Sequence, residues 1–162
     1  MDESDGFSEL MSAEAPGLVR VAAVIIGDEG LAREVVQEAF ARALVRWRRL
    51  RAYDRPGGWL RLVTVRLAVR EAGRQRREGV GVDPGDGVAV EGVGGFDVDL
   101  QRAIAALAVE DRTVIVLHYL CDMPVEEVAA VVGARAGTVR VRLHRARKRL
   151  AEVLEVGDAS SR

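Results

Sequence analysis

The chain has 162 residues, nearly balanced charge (24 lysines and arginines against 25 aspartates and glutamates, formally −1) and one cysteine. The lone Cys121 excludes an internal disulfide, and no apolar run approaches the ~18 residues that a membrane span needs. The balance hides segregation: residues 1–41 carry two arginines against nine acids, 42–77 twelve arginines against two acids, and 78–97 five acids and no base, which points to different partners for different segments.

At the N-terminus, MDESDGFSEL is acidic and lacks the charged-then-apolar order of a signal peptide, so the expectation is a soluble cytoplasmic protein in a reducing compartment. Leu18, Val21, Ala22, Ile25 and Ile26 recur at helical spacing, and Gly27-Asp28 ends that helix and caps the next. The second helix carries Leu31, Val35, Ala39, Phe40, Ala43, Trp47 and Leu50 on one stripe. Arg33, Glu34, Gln37 and Glu38 then lie outside, on a face that suits either plain solvent or a docked partner. Tyr53 to Pro56 breaks the pattern, with Asp54 and Pro56 as a helix start. A third helix turns Trp59, Leu60, Val63, Leu67 and Ala68 inward, and Trp59 reads as core. Arg61, Arg66 and Arg70 lie outward, and Arg74, Arg76 and Arg77 follow at the helix end. That tract suits a nucleic-acid backbone, with Tyr53 an aromatic that fits either stacking or simple exposure.

Residues 78–95, EGVGVDPGDGVAVEGVGG, hold seven glycines and Pro84, a composition expected to form a flexible acidic linker rather than a helix. Beyond it, Leu100, Ile104 and Leu107 make one helical stripe. Val114, Leu117, His118 and Cys121 make another, on a helix beginning near Glu110. Pro124 to Leu154 then reads as a helix, a turn at Gly133 and a second helix, with Ala129 and Val139 placed as the small contact and the apolar anchor of two crossing helices. Val139, Leu143, Ala146 and Leu150 share the inward arc of the last helix. Arg135, Arg140, Arg142, Arg145, Arg147, Lys148 and Arg149 lie within fifteen residues that contain no acid. A short helix pair whose second member is cationic fits the DNA major groove. Arg140 and Arg142 sit where side chains reach base edges, and Arg147 and Arg149 where they hold phosphates. The tail GDASSR is expected to fray.

Catalytic and metal chemistry find little support. His118 and Cys121 are spaced i, i+3, but a zinc site wants four ligands or three plus water, and the other imidazole, His144, belongs to the outer face of the last helix. The glycine-rich run neither follows a convincing strand nor opens a helix, as a phosphate cradle would. No nucleophile, base and orienting group assemble. The expectation is a binding protein, not an enzyme, with no metal and no cofactor.

Together these segments resemble the extracytoplasmic-function (ECF) sigma factors of bacterial RNA polymerase. Four stretches carry the likeness, which runs from about Phe7 to Leu154: LVRVAAVIIGDEGLAREVVQEAFARAL, RPGGWLRLVTVRLA, LAVEDRTVIVLHYLCDMPVEEVAAVVG and GTVRVRLHRARKRL. The resemblance implies an all-α fold of two small helical domains, a region 2-like domain over 7–77 and a region 4-like helix-turn-helix domain over 98–156, joined by a flexible linker over 78–97. It implies docking of Glu34, Gln37 and Glu38 on the β′ clamp helices of core RNA polymerase, with the β flap as a second polymerase contact. It assigns Arg61, Arg66, Arg70, Arg74, Arg76 and Arg77 to the −10 element and the opened non-template strand. It assigns Arg135, Thr138, Arg140, Val141, Arg142, His144 and Arg145 to the −35 duplex. A separate anti-sigma factor is an implied partner. The chain departs from the family pattern in carrying Arg66 and Arg70 where Asn and Asp are usual, Leu107-Ala108 in place of Leu-Pro, and Val141 in place of a hydroxyl. The rival reading is a stand-alone helix-turn-helix regulator of an operator.

Overall fold

The computed structural model describes residues 3–79 and 98–160. Most of the expected linker, from residue 80 to 97, lies outside them. The first half comprises α1 (Glu3–Ile26), α2 (Glu29–Val45), the single turn α3 (Trp47–Leu50) and α4 (Pro56–Glu78). The second comprises α5 (Val98–Ala105), α6 (Val109–Ile115) running straight into a π-helical turn (Val116–Leu120), α7 (Val125–Val132) and α8 (Ala136–Ser160). All regular structure among the described residues is helical, as the residue periodicity requires. No helix among them is long and apolar enough to cross a membrane.

The first half is a three-helix packing of α1, α2 and α4. Leu18, Ala22, Ile25 and Ile26 are buried along α1, as their spacing predicts. Asp28 caps α2 by accepting the Leu31 amide at 3.0 Å, which satisfies one of the donors that a helix start leaves open. The buried line of α2 is Ala32, Val36, Ala39, Phe40 and Ala43. Leu31 and Val35 are only half-buried, so the stripe is rotated from the expected one. The helix also does not continue to Leu50. It breaks at Arg46, where the chain turns so that Trp47 can pack edge-on against Phe7, with ring centroids 5.3 Å apart.

α4 starts at Pro56, as expected, but its N-cap is Arg55 and not Asp54, and no side chain caps it. The carboxylate of Glu14, from α1, comes to this end instead. It lies 2.7 Å from where a Cβ on Gly57 would stand, so a larger residue there would push the Glu14 carboxylate aside. A negative group there complements the positive end of the helix dipole.

In the second half, Ala103, Ile104, Leu107, Val114, Leu117, Val128, Val139, Leu143 and Ala146 are buried, and Leu150 is half-buried. Gly133 adopts φ 68°, a left-handed conformation that ends α7 and frees the chain to enter α8. α8 does not end at Gly157. It continues to Ser160, because one glycine costs a helix only ~1 kcal/mol.

The two halves touch through α6. Three consecutive residues there fan out at helical angles to three different helices. Glu110 pairs with Arg76 of α4. Asp111, buried, takes Arg145 of α8 in a fork at 2.8 and 2.6 Å. Arg112, 8% exposed, donates to the Ile25 carbonyl at the end of α1 at 3.1 Å and to its own neighbours Ala105 and Leu107. Burial lowers its affinity for a proton, yet a guanidinium stays charged at neutral pH. Its Nε finds no partner.

Candidate nucleic-acid interface

The helix-turn-helix is built by α7 and α8. Val139, Leu143 and Ala146 seat α8 on the core, so the opposite side is presented outward. Arg135, Thr138, Arg140, Val141, His144 and Arg145 are all exposed there, and Arg142 is half-buried at the edge. Val141 is 62% exposed, an apolar group held in solvent at the centre of a cationic face. Such a group suits the methyl of thymine better than a phosphate.

The arginines of this face are not equivalent. Arg140 meets Glu126 of α7 at 3.1 Å, an exposed pair that water and salt weaken. Arg145 is bound to buried Asp111, whose carboxylate raises the guanidinium's proton affinity. Arg147 donates to the Tyr119 hydroxyl at 2.7 Å. The side chains of Arg135 and Arg142 have no hydrogen-bond or ion-pair partner among the described residues. Arg145 therefore serves first to fix α8 to α6, while Arg135 and Arg142 are the groups free to reach a ligand.

The arginine tract of α4 also divides. At about 100° per residue, Arg66, Arg70, Arg74 and Arg77 share an arc of about 80°, whereas Arg61 and Arg76 lie on the other flank. Arg66 and Arg70 line a groove of about 510 Å³ with Arg42, Val45, Arg46, Trp59, Val63 and Leu67. Trp59 is half-buried in this wall rather than enclosed in the core, and Val63 and Leu67 are likewise half-buried. Four cations around an apolar and aromatic floor can take a nucleotide strand, with backbone charge on the rim and a base against the indole. Arg42 and Arg46 come from α2 and its end, and residue spacing alone does not single them out. The density of arginines from 42 to 55 was the available signal, but only the packing of α2 on α4 brings two of them to this groove. Arg74 is occupied by Glu71 and Glu78, and it lowers the Glu71 carboxyl below its ordinary range.

Glu34 and Glu38 line a shallower groove between α2 and α4, with Leu31, Val35, Leu67, Arg70, Glu71 and Arg74. Gln37 is exposed beside them. Glu38 bonds Arg42 at 2.9 Å. This face combines exposed acids with half-buried apolar side chains, which suits a protein surface more than a nucleic acid.

The His118 imidazole Nδ1 lies 2.8 Å from the Met123 carbonyl, and burial pushes the Cys121 thiol up to about 11. Among the described residues no three His, Cys, Asp or Glu gather as metal ligands.

Comparison with known proteins agrees with this geometry. Residues 10–78 match the family described as sigma-70 region 2, and residues 97–150 match sigma-70 region 4. The RNA polymerase sigma-E factor of Streptomyces antibioticus is 31% identical, across 96% of this chain and 88% of its own. The protein named "Probable ECF RNA polymerase sigma factor SigI" of Mycobacterium tuberculosis is also 31% identical, across 94% of this chain, but the match spans only 57% of that longer protein. Among solved structures, the sigma factor RpoE of Bartonella quintana, determined with the anti-sigma factor NepR, aligns with a TM-score of 0.66 at 24% identity. That alignment covers 93% of this chain and 98% of the other, a likeness of fold.

Proposed function

The chain belongs to the sigma-70 family, among its ECF RNA polymerase sigma factors, and from that premise we propose that it is a transcription initiation factor. In this reading it binds core RNA polymerase and directs it to promoters by recognising a −35 element as duplex and a −10 element as an opened strand. It carries out no reaction itself and acts in the cytoplasm, where polymerase and chromosome meet. The carrying observation is that one chain presents two cationic surfaces of different construction. One is a protruding helix face suited to a groove. The other is a concave, aromatic-floored cleft suited to an unpaired strand. A stand-alone operator regulator needs only the first.

On this reading Arg135, Thr138, Arg140, Val141 and Arg142 meet the −35 duplex, with His144 beside them and Arg145 acting through Asp111. Arg66, Arg70 and Arg77 meet the −10 strand, joined by Trp59, Arg42 and Arg46. Glu34, Gln37 and Glu38 dock on the β′ clamp helices, and the helix-turn-helix half meets the β flap. The domain limits we assign are 7–77 and 98–156, with 78–97 as the connecting linker. A separate anti-sigma factor, implied by the family, completes the proposed partners.

The direct test is run-off transcription with purified core polymerase and a promoter library. Transcripts from one promoter class are expected, and failure to associate with core polymerase overturns the reading. Within it, Gln37→Ala with Glu38→Ala lowers core association about tenfold while the melting temperature holds, since exposed positions change stability by only about 0.5 kcal/mol. An undiminished association removes these residues from the docking face. Arg140→Ala costs about 1 kcal/mol on −35 duplex, at the low end for a base-reading arginine, because Glu126 competes for the same guanidinium. Equal loss on scrambled duplex marks Arg140 as a phosphate contact only.

A further inference from the structure

We propose that the Tyr119 hydroxyl and the Arg147 guanidinium together form a binding site for one backbone phosphate of duplex DNA, at the far end of the face that Arg140 begins. The proposal rests on the duplex-binding role given to α8 above, and adds to it a residue from outside the helix-turn-helix. Tyr119 belongs to the π-helical turn that precedes α7. It is 49% exposed, and Arg147, likewise exposed, donates through Nη1 to its hydroxyl oxygen at 2.7 Å. At about 100° per residue, Arg140, His144 and Arg147 share an arc of about 60° on α8, with Arg147 about 10 Å along the axis from Arg140.

The group that Arg147 leans on sets it apart. Arg140 faces the Glu126 carboxylate and Arg145 the Asp111 carboxylate, so each already has an anion beside it. Arg147 meets a neutral phenol, which takes one N–H and leaves the charge unanswered. A phenol oxygen that accepts from a guanidinium still has its own hydrogen to give, and accepting strengthens that donation. The pair therefore offers an O–H and the remaining guanidinium N–H groups to one ligand. Charged oxygens that only accept, as in a phosphodiester, suit such a set of donors. The phenol is also held in place. Its ring packs edge-on against His118, with centroids 4.8 Å apart and planes at 77°. The His118 Nδ1 lies 2.8 Å from the Met123 carbonyl, and since a carbonyl only accepts, that nitrogen carries the hydrogen and fixes the imidazole. A hydroxyl positioned in this way loses little freedom when it binds.

Tyr119→Phe tests this, because it removes one hydroxyl and keeps the ring that meets His118. With the full chain and a mixed-sequence duplex of about 20 base pairs, Tyr119→Phe weakens binding about 3–10-fold and leaves the slope of log K against log salt unchanged, since no cation is lost. Arg147→Ala weakens binding and reduces that slope by about 0.9. With Arg147→Ala already present, Tyr119→Phe costs less than about twofold, because the two groups hold the same phosphate. The same fold loss with and without Arg147, or wild-type affinity in Tyr119→Phe, overturns the proposal. A slope that falls with Tyr119→Phe overturns it too, since the phenol then only positions Arg147. Mixed-sequence duplex presents backbone without a promoter, so the cycle is read even if run-off transcription fails, and that failure counts against the sigma-factor reading alone. A wild-type chain that binds no duplex at low salt overturns both the phosphate site and the duplex role of α8.

Discussion

Leu143→Ala lowers the unfolding free energy by about 2–5 kcal/mol, the range for deleting a buried leucine side chain whose surroundings cannot fully collapse. Leu143 is 2% exposed and lies one turn beyond Val139 and just before Ala146, both fully buried, so no water fills the space it vacates. Total stabilities of such domains are about 5–15 kcal/mol, so the loss is a large fraction of what holds α8 in place. The urea midpoint should fall with little change in slope. Binding to −35 duplex should be lost before binding to a single strand, because the strand groove is built by α2 and α4, which Leu143 does not support. An unchanged midpoint means that α8 is not seated as described. Equal loss of duplex and strand binding means that the two surfaces do not stand on separate supports.

Trp59→Ala weakens single-strand binding by about 1–3 kcal/mol, or roughly 5- to 150-fold, if a base stacks on the indole in the groove. The residue also packs against its own helix bundle, so a drop in melting temperature accompanies the change, and the two effects need separating. Trp59→Phe keeps an aromatic face and recovers most of the affinity. The salt dependence separates stacking from charge. Trp59→Ala leaves the slope of log K against log salt unchanged, whereas Arg66→Ala and Arg70→Ala each reduce it by about 0.7. A Trp59→Ala protein that melts earlier yet binds strand as before returns Trp59 to the role of packing alone.

Much of this architecture can be read from residue order. The apolar spacing on α1, the Asp28 cap, the Pro56 start and the Gly133 turn are local signals, and local chemistry decides them. The inward arc of α8 follows from period alone, and so does its exposed side. What could not be read is whatever depends on a partner distant in sequence. The rotation of the α2 stripe towards Ala32 and Val36 is set by how α1 and α4 lie against it. The break at Arg46 is set by Phe7, forty residues earlier, drawing in Trp47. Trp59 read as core because an apolar residue at helical spacing usually is, and its placement in a groove wall needs the arginines of two helices to be seen together. The six arginines of α4 read as one tract, although a helical projection already separates Arg61 and Arg76. What the projection cannot supply is that Glu110 stands beside Arg76.

The π-helical turn at Val116–Leu120 has a consequence for how the DNA-reading half is aimed. It accommodates an extra residue within one turn, with the Cys121 amide reaching back five positions to the Val116 carbonyl at 3.1 Å. Everything after it inherits an azimuth that an unbroken α-helix would not give. Rewinding this turn as regular α-helix without removing a residue would swing the onward chain by about 100° around the axis of α6. The orientation of α7 and α8 thus hangs on how this turn is wound, and loss of the π winding alone re-points the reader without touching a side chain that reads.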